Sequence, residues 1–232
     1  MSSTPRIVEV RQNILKRNDE VARELRQRFQ QAGVYVVSLV SSPGSGKTTF
    51  LEKTLTLLAH QYRTAVLVGD LATNNDAARL ARSHVPVRQI TTGTLCHLEA
   101  AMVESALEEW SLTDLDLLFV ENVGNLVCPA SYDLGENLRV VLFSVTEGED
   151  KPLKYPPILH SADMAIVTKI DLSQAATFDG DTFYRNLRAV RPGMTVMEVS
   201  AKTGKGMYQW LNYITAILGP TQGQVFGPEG RK

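Results

Sequence analysis

The chain has 232 residues, 44% hydrophobic and 21% charged, which is material for one large buried core rather than for a disordered or fibrous chain. Lys plus Arg number 24 against 25 Asp plus Glu, a formal net charge of -1, so no bulk attraction to nucleic acid or to an anionic membrane is expected. Two cysteines are too few for a secreted disulfide framework, and the opening MSSTPRIVEV lacks a basic-then-apolar signal pattern. No apolar run approaches the roughly 20 residues of a spanning helix, so a cytoplasmic protein is expected.

Residues 8–31 carry helical periodicity, with Ile14, Val21, Leu25 and Phe29 on one stripe and Gly33 as the stop. Val34–Ser41 follows as a near-continuous β-branched run, the pattern of a parallel strand buried on both faces. Further strands are predicted at Thr64–Asp70, Leu117–Glu121, Arg139–Val145, Met164–Lys169 and Thr195–Val199. Helices are predicted from Thr48 to about Gln61 and at Asn75–Ser83, Leu95–Trp110, Phe178–Val190 and Gly206–Leu218. Strands alternating with helices imply right-handed crossovers and an α/β fold, a mostly parallel central sheet with helices on both faces. The expected organisation is an N-terminal helical segment (1–33) packed on a nucleotide-binding domain (34–218), followed by a flexible tail (219–232).

Ser41–Thr49 reads SSPGSGKTT and lies between the first buried strand and an amphipathic helix, the context of a phosphate loop. Gly44 and Gly46 allow the loop that starts at Pro43 to turn the N–H groups of Ser45 and its neighbours up to Thr49 around a polyphosphate. Lys47 can reach the β- and γ-phosphates, and the Thr48 hydroxyl suits Mg²⁺. Ser41 stands where the usual pattern has Gly.

Guanine needs separate evidence. TKID, Thr168–Asp171, ends a predicted strand; an Asp there accepts two hydrogen bonds from guanine, which adenine cannot offer, while the Lys169 stem covers the ring. Thr168 stands where GTPases usually have Asn. VSAKTG follows the last strand, and Ser200, Ala201 and Lys202 suit a loop beside the guanine O6. Both segments are at strand ends, where ligands of open α/β sheets gather.

Glu121 ends a strand in ENVG and is placed to act on Mg²⁺ or its waters, with Gly124 offering an amide to the γ-phosphate. Asp70 and Asp76 are further Mg²⁺ or water candidates, Asp76 being equally suited to cap a helix. The catalytic set is therefore Lys47, Glu121, Gly124 and Asp76. Asn125 follows Gly124 in place of a water-orienting Gln, so slow intrinsic hydrolysis is expected.

Cys96 and His97 are adjacent in TTGTLCHLEA, and Cys128 lies seven residues beyond Glu121. Thiolate and imidazole suit Zn²⁺ or Ni²⁺. On a regular helix neighbouring side chains point about 100° apart, which obstructs convergence of Cys96 and His97 on one ion. Two solutions are open: a distorted helix start, or a site shared across a homodimer axis.

The stretches SSPGSGKTT, GDLATNNDAAR, TTGTLCHLEA, ENVGNLVCP, SVTEGEDKPLKYP, TKIDL and VSAKTG together resemble the HypB family, the nickel-incorporation GTPases of [NiFe]-hydrogenase maturation. That resemblance implies a GTP/GDP-cycling homodimer that passes Ni²⁺ towards the hydrogenase large subunit with a HypA-type metallochaperone. It also implies Ni²⁺ or Zn²⁺ on Cys96, His97 and Cys128 near the dimer interface. Residues 1–35 hold no Cys or His, so the metal function is expected in the nucleotide domain. The competing readings are a sister GTPase serving urease or cobalamin enzymes and an ATP-dependent P-loop kinase.

Overall fold

The computed structural model describes residues 6–71 and 75–219. The expected tail, beyond Gly219, lies outside the described residues, as do residues 1–5 of the expected N-terminal segment and residues 72–74 of the ATNNDAAR loop.

The first helix, α1 (Arg6–Ala32), ends where Gly33 takes φ 72° and the Val34 N–H reaches back to the Phe29 carbonyl at 3.0 Å. A left-handed residue is needed for that return, and glycine takes it without a Cβ penalty. Then come β1 (Tyr35–Ser41), α2 (Lys47–Leu58), β2 (Thr64–Asp70), α3 (Asn75–Leu80), β3 (Val87–Thr91), α4 (Ala100–Ala106) and β4 (Leu117–Glu121). The second half holds β5 (Leu138–Ser144), α5 (Lys151–Lys154), α6 (Pro156–Ser161), β6 (Met164–Thr168), α7 (Gly180–Val190), β7 (Thr195–Glu198) and α8 (Met207–Leu218). All seven strands pair in parallel, in the order β3-β2-β4-β1-β5-β6-β7. The expected α/β architecture is present, with helices on both faces.

Strand alternation sends β1 side chains to opposite faces. Val37 and Leu39 join Phe50, Leu55, Trp210 and Ile214 from α2 and α8. Val36 faces the other way, into a cluster with Ala22, Leu25 and Phe29 of α1 and Val103 of α4. Val40 shares that second face further along and packs with Phe143, Val167 and Phe183. The predicted α1 stripe needs one correction: Ile14 is 46% exposed. Buried Asn18 joins the packed face instead, its amide donating to the Asp133 carbonyl and its oxygen accepting from the Ala100 N–H, each at 2.8 Å.

Two sequence expectations change. The helix expected over Leu95–Trp110 is confined to Ala100–Ala106. Glu99 is extended (φ -111°, ψ 154°), and the peptide groups before it bond outside any helix: the Leu95 carbonyl to Thr92, the Cys96 carbonyl to Asn125, the Leu98 N–H to Asn122. Strand β3 was not expected. At the sheet edge most of its side chains are only partly buried, so VRQIT lacks the apolar run that marks the inner strands.

Helix α1 is held against the loop before β5 by Arg26, whose guanidinium donates to both Asp133 oxygens at 2.7 and 2.8 Å. Gly135 sits beneath α1 at φ 80°, and a Cβ there would stand 2.8 Å from the Ala22 carbonyl oxygen and 3.0 Å from the Leu25 Cβ. Gly135→Ala therefore combines a left-handed penalty with backbone overlap, and should cost about 2–4 kcal/mol. Urea denaturation of the variant measures this; an unchanged midpoint would show that α1 does not press on Gly135 in solution.

Candidate functional site

The parallel sheet brings the carboxyl ends of its strands to one rim. The segment between β1 and α2 wraps there because Gly44 and Gly46 adopt φ 75° and 91°. The N–H groups at the start of α2 then face a cavity of about 460 Å³, with the positive end of the helix dipole behind them. Lys47, Thr48, Asp70, Asp76, Arg79 and Gly124 line the same cavity. A Cβ on Gly124 would meet Pro43 at 3.0–3.1 Å, so the ENVG segment lies directly on the phosphate loop.

Glu121 is the electrostatic centre. Its side chain is 1% exposed and accepts from Thr48 Oγ1 at 2.7 Å, with the Lys47 ammonium at 3.3 Å. Burial pushes its carboxyl group above the usual range, opposed by Lys47 and Thr48. Oε2 has no hydrogen-bond partner among the described residues. A buried carboxylate oxygen left over beside a Thr hydroxyl suits a hard cation. Asp70 ends β2 and accepts from the Leu71 N–H at 2.6 Å, and Asp76 stands in the first turn of α3.

A second cavity of about 250 Å³ continues from the first, sharing Gly46, Thr49 and Lys169 with it and adding Asp171, Ala201 and Lys202. Lys169 takes φ 58°, which turns its chain back over Gly46 so that its ammonium donates to the Gly44 carbonyl at 2.6 Å. Ser200 Oγ donates to Asp171 at 2.6 Å, joining the two strand-end loops. Thr168 braces the phosphate loop in spite of departing from Asn: its hydroxyl donates to the Ser45 carbonyl at 2.6 Å.

Cys96, His97 and Cys128 come together on the other side of the ENVG segment, their donor atoms all within 4.8 Å of one another. The helical obstacle disappears because Cys96 and His97 lie in a bend before α4 begins at Ala100, so no second chain is needed to unite these three donors. The two Sγ atoms are 3.0 Å apart. His97 is buried against the Tyr132 ring, centroids 3.9 Å apart, and neither ring nitrogen has a hydrogen-bond partner among the described residues. Burial lowers its pKa, against the pull of Glu99, favouring the neutral imidazole that a soft metal requires. Two buried orphan nitrogens beside two thiols fit Ni²⁺ or Zn²⁺.

The two centres are physically joined. Asn122 accepts from the Leu98 N–H at 3.0 Å, and Asn125 donates to the Cys96 carbonyl at 3.3 Å. Sequence reasoning gave neither asparagine this role, since the partner loop is 24–29 residues away in the chain. It also missed Lys151 of TEGEDKPLKYP, whose ammonium reaches Ser42 Oγ of the phosphate loop at 3.0 Å. The segment had been singled out by resemblance, and its contact with the phosphate loop supplies the chemistry.

Fold and cavity define a P-loop nucleotide-binding protein, and residues 35–198 match the family model described as "CobW/HypB/UreG, nucleotide-binding domain". A hydrogenase maturation factor HypB from Azotobacter chroococcum is 50% identical over 212 residues, covering 91% of this chain and 70% of its own. The structure of HypB from Helicobacter pylori in complex with nickel superposes with a TM-score of 0.80 at 41% identity, covering 85% of this chain and 93% of the other. HypB from Archaeoglobus fulgidus gives 0.82 at 35%, covering 88% and 100%. This chain belongs to the HypB family of hydrogenase maturation factors and is a GTPase of that family. Among the described residues no helix is long and apolar enough to cross a membrane.

Proposed function

We propose that this chain is a GTP-driven switch that carries nickel to a hydrogenase under assembly, residues 34–218 being the working unit and α1 its brace. The observation that carries the proposal is the single path from phosphate loop to thiols. Thr48 and Lys47 hold Glu121, and within seven residues of Glu121 the chain passes Asn122, Gly124 and Asn125 and reaches Cys128. Any change in how Gly124 meets the triphosphate displaces the segment bonded to the Cys96–Leu98 loop.

In this reading Pro43–Thr49 wraps the phosphates, with Lys47 on the terminal one. Asp171 and Lys169 read guanine beside Ser200, Ala201 and Lys202. Thr48, Glu121, Asp70 and Asp76 would hold Mg²⁺, which supplies charge neutralisation at the phosphates. Nickel is the cargo, taken by Cys96, His97 and Cys128; the nickel complex of the Helicobacter pylori relative supports that choice over zinc. Three donors in one chain leave a coordination position for a second copy, a HypA-type metallochaperone or the hydrogenase large subunit, so release can proceed by ligand exchange.

The test is nickel titration with Mg·GDP and with a non-hydrolysable Mg·GTP analogue, sedimentation velocity being recorded on each sample. One affinity and a dimer population should change with the nucleotide; by linkage the nickel affinity difference and the nucleotide affinity difference must match. Identical nickel affinity in both states, with a monomer throughout, would overturn the switch.

A further inference from the structure

Glu99 stands beside the metal-capable cluster without joining it. Its Oε1 lies 3.6 Å from His97 Nε2, just beyond hydrogen-bond length, yet its carboxylate is not among the donor atoms that gather within 4.8 Å. The carboxylate therefore approaches the imidazole at Nε2 without sharing the close approach to both thiols. We propose that Glu99 is the positioning residue of this site: it takes the Nε2–H of His97 and so presents Nδ1 to the ion shared with Cys96 and Cys128. The proposal rests on the reading of these three residues as a metal site.

Three features of the structure point the same way. The Glu99 carboxylate is beside Nε2, which favours the proton on that nitrogen and leaves the lone pair of Nδ1 for an ion. The Tyr132 ring packs on the imidazole at 3.9 Å, which restricts a flip that would exchange the two nitrogens. Glu99 itself is held: its backbone is extended, and the next N–H, that of Ala100, is bonded to Asn18 of α1 at 2.8 Å. A neutral imidazole has one lone pair for a metal and one N–H to place, and a carboxylate behind the ring decides which nitrogen has which. The side chain of His97 is 8% exposed and that of Glu99 29%, so water competes weakly for the proton.

The experiment uses the full chain, ¹⁵N-labelled and titrated with Zn²⁺ alone, with long-range ¹H–¹⁵N spectra of the histidine rings. His97, assigned by loss of its signals in His97→Ala, should bind zinc through Nδ1 and carry its proton on Nε2. Glu99→Gln should weaken zinc binding by about 10–100-fold and allow the two tautomers to mix, while Glu99→Asp restores the single tautomer. Melting temperature and Mg·GTP affinity, measured on each variant, show that it is folded. Zinc bound through Nε2, or a Glu99→Gln variant with unchanged affinity and tautomer, overturns the role of Glu99 and leaves the metal site standing. Zinc that leaves the His97 signals of the parent protein unmoved overturns the metal-site reading itself.

Discussion

Lys47→Ala should weaken Mg·GTP binding by about 10²- to 10³-fold, or ~2.8–4.2 kcal/mol, the range for removing one side of a desolvated charge pair. Calorimetry on the purified, folded variant measures it, and near-normal affinity would overturn the phosphate-loop assignment. The variant has a second consequence, because Lys47 also lies 3.3 Å from buried Glu121. An unpaired buried carboxylate costs ~3–5 kcal/mol if it stays ionised. Glu121 has a way out: burial already pushes its pKa up, and without Lys47 it should rise further and the group should take a proton. A carboxyl whose folded pKa exceeds its unfolded pKa stabilises the fold below the unfolded value and loses that contribution as pH rises through the folded one. Lys47→Ala should therefore lose stability with rising pH more steeply than the parent protein. Parallel melting curves at pH values rising from the ordinary glutamate value of 4.5, the side to which burial shifts the group, separate this from the binding defect.

The double change Cys96→Ala, His97→Ala should abolish stoichiometric Ni²⁺ binding while leaving Mg·GTP affinity near normal. It removes two of three donors, so the loss should exceed the 10–100-fold typical of an outer contact. Cys128→Ser should do nearly the same from the other loop, since a hydroxyl is a poor ligand for a soft ion. Cys96, His97 and Cys128 belong to none of the three apolar clusters, so the core should stand in both variants, although His97→Ala also removes the ring packed on Tyr132. Metal retained at one ion per chain in the double variant would place the site elsewhere. Lost GTP binding would mean instead that the Cys96–Leu98 loop supports the ENVG segment through Asn122 and Asn125.

How far the site could be read from the residues follows from the range of the forces involved. Lys47 and Thr48 were legible because a phosphate loop is local: strand, glycine turn and helix are contiguous. Asp171 and Ser200 were legible one at a time, each at a strand end, but their 2.6 Å bond to one another needed the sheet. Thr168 looked like a departure from Asn, and only the approach of Ser45 turned its hydroxyl into a brace. Lys151 and Glu99 carried no local signal; a lysine or glutamate means little until a phosphate loop or an imidazole stands beside it.

The sequence by itself determined the α/β alternation, the buried inner strands, the phosphate loop and the identity of the three soft donors, because periodicity and short-range turn chemistry are properties of neighbouring residues. The tertiary structure alone decided the edge strand β3, the late start of α4 and the meeting of Cys96, His97 and Cys128. Periodicity suggested that the helix ran back through Leu95, but its backbone groups found better partners in Thr92, Asn122 and Asn125. Hydrogen bonds between segments distant in sequence outcompeted a local helical preference worth only tenths of a kcal/mol per residue, about 0–0.7 for ordinary residues. That competition placed both donors of the first loop within reach of the third.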